Sequence, residues 1–250
     1  MEETFDLVVY TCTVNNYDNL SLIQKPVEGI RFVYFTNNPG KVPDGWEGRE
    51  LRSPPRLRSG HDINRFHKIF AHHVLPEFKH SVYIDGNVVF DGDFRKLSEM
   101  LRLSNIAVGA FKHPQQHTLE EEAMACEQGE KFDLHDMYVV KQQLKNYQAE
   151  GLDLSRNIAA NYLLVRQHDY PGLSQCMSLW WSQLFEYSKR DQMSLCYALW
   201  KTNLPWAFLD IDLGIDPDLL VRHRHARKSR YRKVINMVNG IKNKFLHPDL

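Results

Sequence analysis

Short apolar runs alternate along this chain with longer stretches in which apolar residues recur every third or fourth position. Residues 5–12, 30–36, 81–90, 106–111, 161–166, 206–211 and 219–222 are rich in β-branched and aromatic side chains and read as strands. Most are apolar on both parities, the pattern of strands covered on both faces. In residues 61–78 the positions Ile63, Phe66, Ile69, Phe70 and Val74 form a helical stripe, with Pro76 near its end. In residues 173–185 Met177, Trp180, Trp181, Leu184 and Phe185 do the same. Alternating strands and helices predict a layered α/β fold around a mostly parallel sheet. Residues 38–58, rich in Pro, Gly and Arg, read as a surface loop. Residues 118–151 are polar and mostly helical, an insertion placed to close over a site. No repeat or low-complexity linker divides the chain, which predicts one domain over residues 1–250 with a basic helix from about residue 226.

Composition narrows the class. With 250 residues, 43% hydrophobic and 12% aromatic, the chain can fill a sizeable core. The formal net charge is zero, so nothing global points to nucleic acid. Four dispersed cysteines without a C-x-x-C pair predict reduced thiols rather than a disulfide framework. The start MEETFDLVVY has no signal-peptide pattern, and no run of about 18 apolar residues occurs. A cytoplasmic enzyme is the expectation.

Candidate chemistry concentrates in a few places. A hydrophobic strand runs into Asp85-Gly86-Asn87. A carboxylate at a strand end, a glycine permitting close approach and a second oxygen ligand suit a hard divalent cation and its diphosphate. The same tripeptide is also a common turn. Arg65 and Lys68 share a helical face opposite the apolar stripe, where they either grip phosphate or face solvent. Histidines 61, 67, 72, 73 and 80 cluster there without the spacing of a zinc helix. Ser188-x-x-Asp191 fits a capping box, while Asp191, with Gln192 beside it, is also a candidate for binding a sugar hydroxyl or acting as a base. Thr118-x-x-Glu121 is a second capping box. His223 and His225 lie in a basic run from Arg222 to Lys233, followed by the apolar helical positions Ile235, Val238, Ile241 and Phe245. That tail fits either packing on the domain or lying on an anionic membrane.

The order of these segments carries more than any one of them. A basic helix with Leu75-Pro76, then Tyr83-Ile-Asp-Gly-Asn87, Lys112-His-Pro114, Asn161-Tyr-Leu-Leu-Val-Arg166, a Trp-Trp helix and Arg190-Asp-Gln-Met-Ser194 resembles the GT-A glycosyltransferases. Within them it most resembles a family, once a domain of unknown function, grouped with plant mucilage-related and bacterial polysaccharide-associated glycosyltransferases. The resemblance spans about residues 5–225. It implies a Rossmann-like nucleotide-sugar fold, a nucleoside-diphosphate sugar as donor, and a glycan or lipid-linked acceptor.

By position it implies that Asp85 and Asn87, with Gly86 between them, contact Mn²⁺ or Mg²⁺ and the donor diphosphate. Thr11 and Thr13 would sit near the nucleoside, and Arg65 and Lys68 near phosphates or ribose. Asp191 and Gln192 would face donor sugar and acceptor, and His225 would complete the metal shell. Asn87 stands where the usual Asp-x-Asp motif has its second carboxylate. The His-x-x-Gly-x-x-Lys-Pro-Trp ending of the related retaining family is also missing. A nucleotidyltransferase and a non-catalytic carbohydrate-binding module displaying Trp180 and Trp181 are the competing readings; the first lacks a Gly- and Lys-rich loop after the first strand.

Overall fold

The computed structural model describes residues 6–15, 24–52, 54, 57, 59–129 and 131–223. His225 and the predicted C-terminal helix lie outside them. Seven strands form one mixed sheet in the order β3-β2-β1-β4-β7-β6-β8. Four neighbours run parallel: β3 (Glu47–Glu50), β2 (Arg31–Thr36), β1 (Leu7–Cys12) and β4 (His80–Ile84). Beyond them β7 (Ala159–Gln167) is antiparallel to both its neighbours, β4 and β6 (Val108–Lys112), while β8 (Trp206–Phe208) again runs parallel to β6. The sheet is therefore mostly parallel with one reversed strand. A small antiparallel pair, β5 (Val88–Phe90) with β9 (Leu220–Arg222), stands apart.

The two parities of β1 serve two cores. Val8, Tyr10 and Cys12 face the helices α1 (Gly60–Ile69), α2 (Ala71–Val74), α6 (Leu173–Glu186) and α7 (Leu195–Lys201). Leu7 and Val9 face α3 (Phe94–Leu103) together with Phe32, Val82 and Ile84. Trp180 of α6 is fully buried in the first core. Truncating such a residue to alanine costs about 3–5 kcal/mol through lost burial and the cavity left behind. A third cluster joins α4 (Leu119–Gln128) and α5 (Leu134–Ala149): Leu119, Ala123, Val140 and Tyr147 pack with Ile158, Met193 and Tyr197.

Several boundaries differ from the sequence expectation. The apolar run 81–90 is two strands, because the Val88 N–H donates to the Asp85 carbonyl (2.9 Å) and turns the chain out of the main sheet. The stripe 61–78 is likewise broken at Phe70 into α1 and α2. Within the anticipated loop 38–58, Glu47–Glu50 pairs as the edge strand β3 despite its polar sequence. Gly48 permits this, since a Cβ there would lie 1.9 Å from the Pro39 carbonyl oxygen. The four cysteines are free, three of them buried.

Arg166 of β7 is fully buried with no carboxylate among its described partners. Its Nη1 donates to the carbonyls of Lys68 (2.5 Å) and Ile69 (3.2 Å), and its Nη2 to the Tyr10 hydroxyl (2.7 Å). Those carbonyls end α1, where the helix presents its negative pole. These bonds tie the end of the helix that carries Arg65 and Lys68 to β7.

Candidate functional site

A cleft of about 860 Å³ opens at the carboxyl ends of β1 and β4. Such an edge is where open α/β sheets bind ligands, and the volume is within the range of about 300–1,000 Å³ usual for ligand sites. The loop after β1 supplies Thr13 to Asn15, α1 supplies His61, Asn64, Arg65 and Lys68, and the turn after β4 supplies Asp85 and Gly86. The start of β7 gives Asn161 and Tyr162, and the segment after α6 gives Ser188 to Gln192. The α4–α5 connection adds Lys131 and Phe132, the first turn of α5 adds Asp136, and β9 adds Arg222. Six basic side chains and three carboxylates line the wall. That excess favours an anionic ligand.

At the centre lies Asp191, 2% exposed. Lys68 Nζ is 2.8 Å from its Oδ2, and Arg65 Nη2 is 3.2 Å from its Oδ1. The Trp180 indole donates to the Asp191 carbonyl (3.0 Å), fixing the backbone. Burial alone would push the carboxyl pKa up, but Arg65, Lys68 and Arg190 overcome it and hold the group well below the usual carboxylate range. Asp191 is thus a fixed anion, and a weak proton acceptor while both cations remain.

Lys68 also approaches Asp85 Oδ1 at 3.5 Å, and the Tyr83 hydroxyl donates to that oxygen at 2.8 Å. Neither Arg65 nor Lys68 has the solvated-face fate open to such pairs: both line the cleft, and Lys68 is 2% exposed.

Gln192 joins the centre through Arg190. The Arg190 guanidinium donates to Gln192 Oε1 and, through Nε, to the buried Glu122 of α4 at 2.8 Å. No capping box forms at Ser188, whose hydroxyl instead accepts from the Arg190 N–H (3.1 Å). Asp191 opens a short 3-10 turn that leads into α7. At Thr118 the anticipated box forms by half: Thr118 accepts from the Glu121 N–H, but Glu121 reaches back to the His117 N–H.

The other nominated residues are dispersed. Thr13 lines the cleft and hydrogen-bonds the Tyr34 hydroxyl. Thr11 is fully buried outside the lining. The Asn87 amide lies behind the turn, where Nδ2 donates to the His223 carbonyl (2.7 Å) and the His223 N–H donates back to the Asn87 carbonyl (2.8 Å). Asn87 is absent from the cleft lining. Among the described residues no three His, Cys, Asp or Glu side chains converge as a metal cage. A divalent ion that arrives with a diphosphate needs only one or two protein carboxylates. Asp85, at the cleft wall with its side chain 31% exposed, meets that smaller requirement.

The sequence marks Asn161 only as the first residue of the strand-like run 161–166, with no site role. Asn161 is 2% exposed, lines the cleft, and has no described partner for Oδ1 or Nδ2. An amide buried without partners is costly unless a ligand satisfies it. Its signal was one polar residue inside the apolar run AANYLLV. Lys131 and Arg222 were equally hidden, one in an undifferentiated polar segment and the other in a basic run.

Comparison with known proteins agrees with this architecture. A family model described as "TOD1/MUCI70, glycosyltransferase-like domain" matches residues 59–216. The match takes in α1, the Asp85 turn and the Asp191 segment. Among solved structures, an active-site mutant of LgtC shares 11% identity with a TM-score of 0.50, over 94% of this chain and 95% of that one. At that identity the likeness is one of fold: a mixed α/β sheet of the GT-A type. LgtC is described elsewhere as a galactosyltransferase in complex with donor and acceptor sugar analogs; that structure matches at 12% identity over 94% and 95% of the two chains, TM-score 0.48. Mouse xyloside xylosyltransferase 1 matches at 10% identity over 82% of this chain and 84% of its own, TM-score 0.48. No curated protein sequence matches the chain.

Proposed function

The chain belongs to the TOD1/MUCI70 glycosyltransferase-like family, and from that premise we propose that its cleft binds a nucleoside-diphosphate sugar and transfers the sugar to a glycan or lipid-linked acceptor. The observation carrying this reading is the buried Asp191, held ionised by Arg65 and Lys68 in a cleft with excess positive charge. Neutral-ligand sites have no use for so many cations, whereas a diphosphate leaving group needs them.

The residues divide the work. Asp85, partly exposed beside Lys68, is the carboxylate that would hold Mg²⁺ or Mn²⁺ at the diphosphate end. Such an ion, when bound, supplies charge that offsets the anion growing on the departing diphosphate. Lys68 and Arg65 add fixed positive charge at the same place. The loop after β1, with Thr13, forms the nucleoside side of the cleft. Asp191 and Gln192 face the transferred sugar, and the unsatisfied Asn161 amide offers one further donor and acceptor to a hydroxyl. Because Arg65, Lys68 and Arg190 depress its basicity, Asp191 orients sugar hydroxyls rather than taking the acceptor proton. The sequence run Arg222–Lys233 supports lipid-linked acceptors at an anionic, cytoplasmic membrane face. Trp180, the sugar platform of a pure binding module, is fully buried and unavailable for that role.

Thermal melting with UDP, GDP, CMP and dTDP, each with and without Mn²⁺, tests the reading. One nucleotide should raise the melting temperature of the wild type in a metal-dependent way and leave Asp85→Asn unmoved. No shift with any nucleotide would defeat it.

A further inference from the structure

A second concavity, of about 460 Å³, lies along β8, the outermost strand of the sheet beyond β6. Its apolar wall is aromatic: Trp200 of α7 and Trp206 and Phe208 of β8 are each half-buried. The rings of Trp206 and Phe208 meet edge to face, 4.8 Å between centroids. Beside them Ile211 is 54% exposed, a large apolar side chain left uncovered. The rim is polar, with Asp153, Asn157 and Asp212 exposed on it.

We propose that this groove binds a stretch of neutral glycan, the part of the acceptor that lies away from the transferred sugar. The inference rests on the glycosyl-transfer reading of the cleft. Three features favour sugar over other occupants. Partly uncovered aromatic faces present apolar surface to the C–H faces of pyranose rings, while carboxylate and amide groups at the rim accept and donate to ring hydroxyls. The groove's charge differs in kind from that of the cleft: Asp153 and Asp212 outnumber Arg156, so the groove disfavours phosphate and acidic sugars. Finally, the two concavities share one edge of the sheet. Ile158 lines the groove and Asn161 lines the cleft, a separation of about 10 Å along an extended chain. An oligosaccharide whose end enters the cleft beside Asn161 and Tyr162 therefore meets the aromatic groove at the same edge of the sheet. The groove's rings also explain why the Trp-Trp pair of α6 does not serve this purpose: Trp180 is core, and Trp181 packs against Phe66, Phe70 and Phe185.

The test uses neutral cello-, xylo-, manno- and galacto-oligosaccharides, titrated into the full chain with calorimetry and tryptophan fluorescence as readouts. At least one should bind the wild type, and Trp206→Ala should weaken it by roughly tenfold or more. Ile211→Glu and Asn157→Ala, at exposed positions that leave the fold intact, should weaken it as well and keep the test valid should Trp206→Ala misfold. Asp85→Asn should bind the oligosaccharide as the wild type does. Failure of every oligosaccharide to bind overturns the proposal. So does binding that is lost in Asp85→Asn but kept in Trp206→Ala and Ile211→Glu, or an Ile211→Glu substitution that breaks a dimer instead. Sugar binding without any nucleotide response would overturn the transferase reading and leave the groove standing; the converse would overturn the groove alone.

Discussion

Two buried cations, Lys68 and Arg166, meet at one residue and serve opposite ends of the sheet. The Lys68 ammonium points into the cleft towards Asp191 and Asp85, while the Lys68 carbonyl accepts from Arg166. The two Nη groups of Arg166 bond backbone carbonyls and a tyrosine hydroxyl, groups that belong to the scaffold, and its buried Nε has no described partner. Lys68 is satisfied by carboxylates at the edge of open volume, where an incoming phosphate can compete for it. Burial is the same, 2% and 0% exposed, but the partners differ. A buried charge therefore marks function only when its counter-charges border space that a ligand can fill. The surroundings follow suit. Around Asp191 the buried groups are ionised, whereas near Arg166 burial, reinforced by its charge, keeps histidines neutral: His72 is pushed down to about 4 and His168 to about 3.

The largest expected effect separates the two ends by activity. Asp191→Asn should lower donor turnover about 10²–10³-fold, read as nucleotide release from the sugar donor, because it removes the anion proposed to orient the sugar. Arg166→Met should leave nucleotide binding in place yet destabilise the fold by about 3 kcal/mol in urea denaturation, since carbonyls that end α1 lose their donor. Should Arg166→Met instead abolish binding while stability holds, the division between the two ends fails.

Acid should then distinguish the ends by pH window. His67 (pushed down to about 4), His72 and His168 favour their neutral forms in the fold, so the unfolded chain takes up protons first as pH falls. Their stabilising contribution is complete above about 6.5, the ordinary histidine value, and is lost on descending through 4 towards 3. Asp191, held low, contributes above the ordinary aspartate value of 3.8 and loses its share below it. Melting temperature against pH should thus decline in two stages, and Asp191→Asn should remove only the lower one. The smallest effect is expected at Glu122→Gln. It touches no ligand but frees Arg190 from its buried anchor, and turnover should fall about tenfold with Glu122→Asp recovering part of it.

How far the sequence foretold this depends on the residue. The strands of β1, β2, β6 and β7 were legible because both their faces are buried, so apolar runs are continuous. β3 was hidden because an edge strand has little to bury, and Glu-Gly-Arg-Glu carries no period. At the candidate site, Arg65, Lys68, Asp85 and Asp191 were nominated from local pattern, and the fold brings all four to one cleft. Their mutual pairing was illegible, because Lys68 and Asp191 come together only when α1 and the segment after α6 pack side by side. The same holds for Glu122, which no local pattern distinguishes from Glu120 and Glu121 and which lies buried against Arg190. At Asn87 the local motif gave no sign that the amide nitrogen donates to a distant segment, at His223.

The reversed direction of β7 has a consequence for how this architecture can diversify. Because β7 enters the sheet beside the cleft, everything between β6 and β7, including α4 and α5, is suspended from the carboxyl edge as a cassette whose small core is completed by Met193 and Tyr197. Lengthening or exchanging that cassette leaves the pairing of the main sheet untouched, yet it redraws the wall that carries Lys131, Phe132 and Asp136. Recombination there would change what the catalyst accepts without asking the scaffold to refold.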